Sequence, residues 1–573
     1  MKLLKPILVL MFFAGFVLST TAQNLMFSEL LGRPTDHSIT IQAFFADSVE
    51  MSIQYGTNPG NYASQTAWQA FSDSMPAEVV VSGLQADTRY FYRMNYRLPG
   101  STNLIQRPEY AFQTQRSPGR TFSFVVEADP HLDAQSDSTL YKLCLQNQLE
   151  DQPDFMIDLG DVMMTDKLRN ASNVVPHDTV PYRCKLFRSY YQRSCHSMPL
   201  FMALGNHEGE AGWYNLGQGN DMSIWDSQER KKYFPNPIPD NFYSGDTTNN
   251  PFVGVRENFY TWQWGDAQFI VLDPYWYTMT KPDSLHGWYW SLGKPQYDWL
   301  KRTLENSTAK FKFVFAHQII GGDPEGRGGV EYADKYEWGG NNLDGTPGFA
   351  ANRPGWYKPI RGLLEENHVN IFFHGHDHFF GKQDLNCLVY QEVPQPSHPN
   401  FSTATYATTY GYVQGQILPN SGHMRVTVMD TVVKVEYVRA YLPQNENGTR
   451  HNKDVSASYF IPAFNCYDSL SMSTPVIWNS NYGEDIAYPN PFSHETVIPV
   501  DVPSTMPLRL VILDPLGRVV RTLLNGHTLE QGSYKLVWDG LDANNGQLPS
   551  GNYSFMLTGN AGLLKTGKLV LIR

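Results

Sequence analysis

Short apolar runs recur through the middle of the chain, and each stops at a Gly, Asp or His: Phe122–Val126, Phe155–Leu159, Leu200–Leu204, Phe313–Ala316 and Ile371–Phe373. Unbroken hydrophobicity over so few residues fits strands covered on both faces, as in a sheet with helices packed over it. Three segments instead space their apolar residues by three and four and predict helices: Ser138–Glu150, Pro295–Asn306 with Pro295 suited to a helix start, and Trp356–Asn367. The runs Met424–Met429 and Val432–Tyr441 alternate and predict strands of a second sheet. On either side of this mixed region the text is strand-like and rich in turns. From about 24 to 116, runs such as Ser38–Phe44 and Ala77–Val81 precede Leu84-Gln-Ala-Asp-Thr-Arg-Tyr90. Towards the other end, strand pairs gather around Asp514-Pro-Leu-Gly517, Trp538-Asp-Gly540 and Ser550-Gly-Asn-Tyr553. The expected fold is an α/β core of four layers, two sheets flanked by helices, with all-β sandwich domains at both ends. A length of 573 residues agrees with about three domains.

The residues just beyond the five runs are chemically uniform. Asp129-Pro-His131, Gly160-Asp161, Gly205-Asn206-His207-Glu208, His317 and Gly375-His376-Asp-His378 supply carboxylate, amide oxygen and imidazole. Those are the donors that hard and borderline cations take. In layered α/β sheets, binding crevices form outside the carboxyl ends of the strands, so five distant segments can converge on one spot. Singly, each has a plainer reading: a turn with a solvated histidine, a Gly-Asp turn, or a helix entry capped by Asn206. Their conjunction points to a site for two metal ions. His374 reads as a packed or supporting residue, and His286, His368 and His398 as surface or loop residues. Two long insertions, Glu208–Asn258 and Gly321–Tyr357, are dense in Trp, Tyr, Gly and Asn. Loops beside a rigid site set specificity. In the second, Arg327 is a candidate to grip a substrate phosphate, beside the plainer reading of a surface arginine, and Tyr336, Trp338 and Trp356 are candidates to stack on a ring.

In order and type, these five segments resemble the calcineurin-like metallophosphoesterases, whose series runs D-x-H, GD, GNH[ED], H and GHxH. The resemblance covers roughly 120 to 440, within a core domain expected over 120–465. It implies Asp129, His131 and His378 on one metal, Asn206, His317 and His376 on the other, and Asp161 bridging both. It also implies His207 as proton donor to the leaving group, while a hydroxide shared by the metals attacks phosphorus. The expected cofactors are two divalent or mixed-valence ions of zinc, manganese or iron. The layout is also similar to purple acid phosphatases, but their tyrosine ligand would fall at Met164, so no purple iron site is expected.

Segment 23–116 resembles a fibronectin type III-like sandwich, with the Gly83-Leu84 to Tyr90 stretch as its tyrosine corner. Residues 1–22 carry Lys2 and Lys5, an apolar Ile7–Val17 stretch and small residues at the end, and predict a signal peptide rather than a membrane span. Residues 466–486 read as a linker. From 487 to 573 the chain resembles the type A sorting domain of the type IX secretion system of Bacteroidota. Together these imply the type IX machinery as a partner, a secreted or cell-surface location, and no transmembrane segment in the mature chain.

Five cysteines are too few for a disulfide framework, although Cys184 and Cys195 are placed to close a short loop. The formal net charge is −12 with no basic cluster, which argues against nucleic acid as a partner. At physiological salt, screening beyond about 8 Å makes that charge a weak obstacle to a small phosphate ester. The reading is a secreted phosphoesterase, foremost a phosphomonoesterase, with phosphodiesterase or nucleotidase as alternatives. A different class, a non-catalytic surface protein binding glycan or another ligand, would be expected to have lost a ligand or His207, and this chain keeps all of them.

Overall fold

The computed structural model describes residues 25–323, 325–463, 487, 489–502, 504–515, 517–543, 546–559 and 562–573. The expected signal peptide at 1–22 and linker at 466–486 lie outside them.

Two sheets form the centre. The first has six strands in the order Leu200–Met202, Phe155–Asp158, Phe122–Glu127, Gly422–Val428, Val432–Arg439, Val455–Pro462, the first three parallel to one another. The second has eight. Its middle strands Ala267–Val271, Phe311–Phe315, Ile371–His374 and Leu388–Glu392 are parallel neighbours. The two-residue period of a strand decides what each face buries. Phe124, Val126 and Ile157 point inward and meet Phe269, Phe313 and Phe373 across the interface, where Phe124 and Phe269 pack edge-on at 5.0 Å. Val125, Met156 and Met202 point outward and are covered by Tyr141, Leu145, Phe187 and Tyr191 of the helices Ser138–Glu150 and Thr179–Tyr191. Ile270, Val314 and Phe372 are covered likewise by the helices Gly293–Glu305 and Ile360–Glu366. Both faces of each sheet are therefore buried, as the unbroken apolar runs require, and the four expected layers are present.

The first predicted helix spans its expected residues, with Asp137 accepting from the amides of Thr139 and Leu140 as its cap. The second begins two residues early, which leaves Pro295 in the first turn, where an amide has no intrahelical partner. The third begins only at Ile360, because Pro359 holds ψ at 153°, outside the helical range. Two helices longer than ten residues were not anticipated, Thr179–Tyr191 and Met222–Tyr233. The inward face of Met222–Tyr233 carries Ser223, Asp226, Ser227 and Arg230, all buried, so no apolar period exposes it in the sequence, whereas Thr179–Tyr191 buries Val180, Cys184, Phe187 and Tyr191 at helical spacing, with Arg183 and Arg188 interleaved. The expected Cys184–Cys195 link is not made. Both are free and buried, one inside a helix that spans Thr179–Tyr191 and the other beyond its end, while Cys387 is disulfide-bonded.

At the amino-terminal end, a three-stranded sheet, Leu25–Gly32, Ser38–Phe45 and Pro76–Ser82, packs on a second sheet built around Val49–Gly56 and Arg89–Arg97. Tyr90 Oη accepts from the Gln85 amide at 2.9 Å, closing the corner that the Leu84–Tyr90 spacing predicts. This sandwich is fastened to the core: Phe44 stacks on Tyr233 at 4.8 Å, and the buried Arg188 donates to the Ser28 and Gln42 carbonyls. At the other end, strands between Thr496 and Leu571 form a two-stranded and a four-stranded sheet around one core. Its contact with the centre is small, Met429 and Val432 against Val511, Leu513 and Met556. Among the described residues, no helix is long and apolar enough to cross a membrane.

Candidate metal centre

Every expected ligand follows the carboxyl end of a parallel strand, and the strands deliver them to one place. Asp129, His131 and His378 bring donor atoms within 4.8 Å of one another, and so do Asp161, His317 and His376. One oxygen, Asp161 Oδ2, lies 3.6 Å from His131 Nε2 and 3.4 Å from His317 Nε2, so it faces both groups. Asn206 Oδ1 stands 3.1 Å from His317 Nε2, which places it with the second group.

The backbone is bent hard to achieve this. Asp129, His131, Asp161, His376 and His378 all have positive φ, between 46° and 79°, a region that residues with a Cβ seldom enter. Such strain persists where the surroundings over-determine it, and it gathers at functional sites. Glycines make the close approaches possible. A Cβ on Gly205 would overlap the Asp161 amide and carboxylate, and one on Gly375 would come within 2.6 Å of Asp129 Oδ2.

Two donors give a test of fit for a cation. Asp129 Oδ1 and His131 Nε2 are buried and have no hydrogen-bond partner, a costly state for polar atoms with nothing to bind. In the second group His317 is oriented likewise: Nδ1 donates to the Leu159 carbonyl at 3.0 Å, leaving Nε2 directed at Asp161. A donor set of carboxylates, amide oxygen and neutral imidazoles fits zinc, manganese or iron. Among fixed charges alone, burial opposes charge on His317, yet Asp161 and Asp129 outweigh it and raise its pKa to about 9.

His207 lies beside this cluster and partly open to solvent. Its amide donates to Asp161 Oδ1 at 2.9 Å, its Nδ1 faces Asp166 Oδ1 at 2.9 Å, and Tyr214 Oη donates to Asp166 Oδ2 at 3.1 Å. Asp166 thereby orients the ring, whose Nε2 lies 3.0 Å from Asn206 Nδ2 on the side of the cluster. Arg327 sits at the rim with Nη1 donating to the His376 carbonyl at 2.8 Å and to Asp377 Oδ1 at 3.2 Å, its guanidinium over the Tyr410 ring. Tyr336 and Trp338 are buried in packing contacts. His374 is buried with Nδ1 2.8 Å from Glu392, and burial brings its pKa down to about 3, in keeping with a supporting residue. His286 and His368 are exposed, and His398 is half-buried.

Three supporting residues escape sequence reading. Glu208 is buried and accepts from the amides of Gly205, Asp161, Val162 and Met163, pinning the loop that carries Asp161 to the one that carries Asn206. Burial, with the Asp161 charge beside it, raises its pKa to about 7. Arg183 donates to the His131, Val162 and Met163 carbonyls, joining the first two ligand loops from behind. Asp166 is the third. The only signal for any of them was the position of Glu208 inside the third motif.

A two-cation hydrolase site is the class that this fold and donor set define. Residues 122–380 match the profile of the calcineurin-like phosphoesterases, so the centre of the chain is a metallophosphoesterase domain and the protein is a metal-dependent phosphoester hydrolase. Residues 493–562 match the FlgD Ig-like domain. Among solved structures, one described as PhoD is similar at 14% identity over 77% of this chain and 91% of its own, with a TM-score of 0.56, which shows the fold. A putative 5'-nucleotidase from Staphylococcus aureus aligns at 15% identity, 60% and 54% coverage and a TM-score of 0.29. GAP50 of Plasmodium aligns at 12%, 59% and 90%, with a TM-score of 0.32. No curated protein matches the chain.

Proposed function

We propose that the chain is an exported phosphomonoesterase that releases phosphate from organic esters. The observation that carries the reading is the convergence of seven ligand side chains, Asp161 facing both groups, with His207, braced by Asp166, beside them. Asp129, His131 and His378 would hold one ion, Asn206, His317 and His376 the other, with Asp161 shared. When bound, the two ions supply Lewis acidity for water and for the phosphoryl oxygens. The chain's own groups do the rest. Glu208 and Arg183 hold the loops in register, and His207 Nε2 is the atom that would deliver a proton to the leaving alkoxide, with Asp166 keeping the ring turned that way.

Export rests on the sequence of 1–22 and on the resemblance of 487–573 to a type IX sorting domain, with the secretion machinery as partner. The fibronectin-like module at 23–116 is read as a brace, in line with the Phe44 and Arg188 contacts. The deciding experiment is metal analysis of purified protein together with turnover of p-nitrophenyl phosphate under added zinc, manganese or iron. Close to two ions per chain are expected, and Asp161→Asn or His207→Ala should lower kcat by about 100-fold or more. A folded protein that binds no ion would overturn the reading. Faster turnover of bis-p-nitrophenyl phosphate than of the monoester would move it to the diesterases.

A further inference from the structure

A cleft of about 320 Å³ opens between the two loops that precede the outer helices of the second sheet, with Tyr277, Trp288, Tyr289 and Trp356 on its walls. Its position follows from topology. The helices Gly293–Glu305 and Ile360–Glu366 each run back to start a strand parallel to its neighbours, Phe311–Phe315 and Ile371–His374. Both helix starts, and the cleft between them, therefore share the carboxyl edge that carries the metal ligands. Rings connect the two places: Tyr275 packs 6.2 Å from His317 and 6.0 Å from Trp290, whose carbonyl accepts from Arg353 in the cleft wall at 2.9 Å.

The walls are fixed in advance. Trp288 Nε1 donates to Asn342 Oδ1 at 2.8 Å, and its ring is met edge-on by Tyr336 at 5.8 Å. A Cβ on Gly293, where φ is +70°, would overlap the Tyr277 ring, so a glycine is needed for that wall to close. Rings held this way lose little freedom when a ligand arrives.

The charges in the cleft are already committed. Arg353 donates to Glu337 and to the carbonyls of Asn352, Trp288 and Trp290, and Lys294 is paired with both oxygens of Asp298 at 2.6 Å. Each cation of the cleft is matched by a carboxylate, Arg353 by Glu337 and Lys294 by Asp298, so the lining carries no net charge and the matching ligand is neutral. Arg353 also occupies one face of Trp288 and one of Trp356, at 5.5 and 5.6 Å, which denies a flat base a place between the two rings. A pyranose needs only one ring face for its C–H groups and a hydroxyl partner at the edge, which Thr280 offers.

We propose that this cleft is a subsite for a neutral sugar ring, and, resting on the phosphoesterase reading, that the substrate is a phosphorylated oligosaccharide. Two ring layers, Tyr275 and Trp290, set the cleft back from the ligands, so the ring it holds lies some way along the glycan from the ester. The full chain, with and without EDTA, is applied to an array of neutral oligosaccharides, and a binder is then titrated by calorimetry. Binding is expected in both conditions, weakened at least tenfold by Trp288→Ala and by Tyr289→Ala, the latter at an exposed position where folding is not at stake. Absence of any binder, binding that survives both substitutions, or displacement by free adenosine at equal concentration would each refute the subsite. A phosphorylated form of the binder should then show a higher kcat/KM than p-nitrophenyl phosphate. Tyr289→Ala should remove that advantage and leave p-nitrophenyl phosphate turnover unchanged, and an advantage that persists would refute the link to the substrate. If no ester is turned over, the phosphoesterase reading falls, while the calorimetry still decides the subsite.

Discussion

Asp166 and Arg183 do different work from the ligands they support, and the difference is measurable. Asp166 touches only the ring of His207 and the hydroxyl of Tyr214, so Asp166→Asn should lower kcat about 10- to 100-fold while metal content stays at the wild-type level. Arg183 touches no donor atom but holds the carbonyls of His131 and Val162. Arg183→Met should therefore reduce ions bound per chain, read by metal analysis, before it changes the rate per loaded centre. The ligands themselves were legible because each follows the end of an apolar strand run within a few residues, and most lie beside a glycine as well. Asp166 and Arg183 were not, because what defines them is a contact with a residue 41 or 52 positions away. The strain at Asp161 and His376 left a trace only in the preceding Gly160 and Gly375, and that at Asp129 left none.

At the scale of elements, five of the parallel strands were read to within two residues, Ala267–Val271 and Leu388–Glu392 were not read, and a helix with a polar inward face was missed. Met222–Tyr233 is the instructive case. It buries Arg230, which donates to Glu210 and to the carbonyls of Arg256 and Glu257, and Arg256 in turn reaches Glu210 at 2.7 Å and Asp273 at 3.3 Å. A helix anchored by charge instead of hydrocarbon carries no hydrophobic period. This network has a pH signature. Burial pushes the Glu210 carboxyl up, but Arg230 and Arg256 overcome that and bring it down to about 2, below the usual carboxylate value. Between those two values the unfolded chain binds the extra proton, so the contribution is complete above the unfolded pKa and lost as pH falls towards 2. Chemical denaturation from pH 7 to pH 3 should show Glu210→Gln destabilised at pH 7, with the gap to wild type narrowing below about pH 4.5.

For the whole molecule, the two terminal sandwiches are attached unequally. The amino-terminal one shares a hydrophobic cluster and a buried arginine with the core, so Phe44→Ala should cost about 3–5 kcal/mol, seen in thermal unfolding. The carboxyl-terminal one meets the core through a few side chains, so a chain ending at 486 should keep the kcat of the full chain. The tripartite plan was visible in the shift from alternating to continuous hydrophobicity. The quality of each attachment was not, because the contacts at Tyr233 and Met429 are made by single residues whose neighbours in sequence face elsewhere.

Each half of the centre draws on both sheets: Asp129 with His378 on one side, Asp161 with His317 and His376 on the other. A nascent or threaded chain that has not yet joined the sheets cannot retain an ion, however many of its donors have been synthesised. Loading would thus follow the meeting of the two sheets, and ions supplied only after folding should fill the site as well as ions present during it.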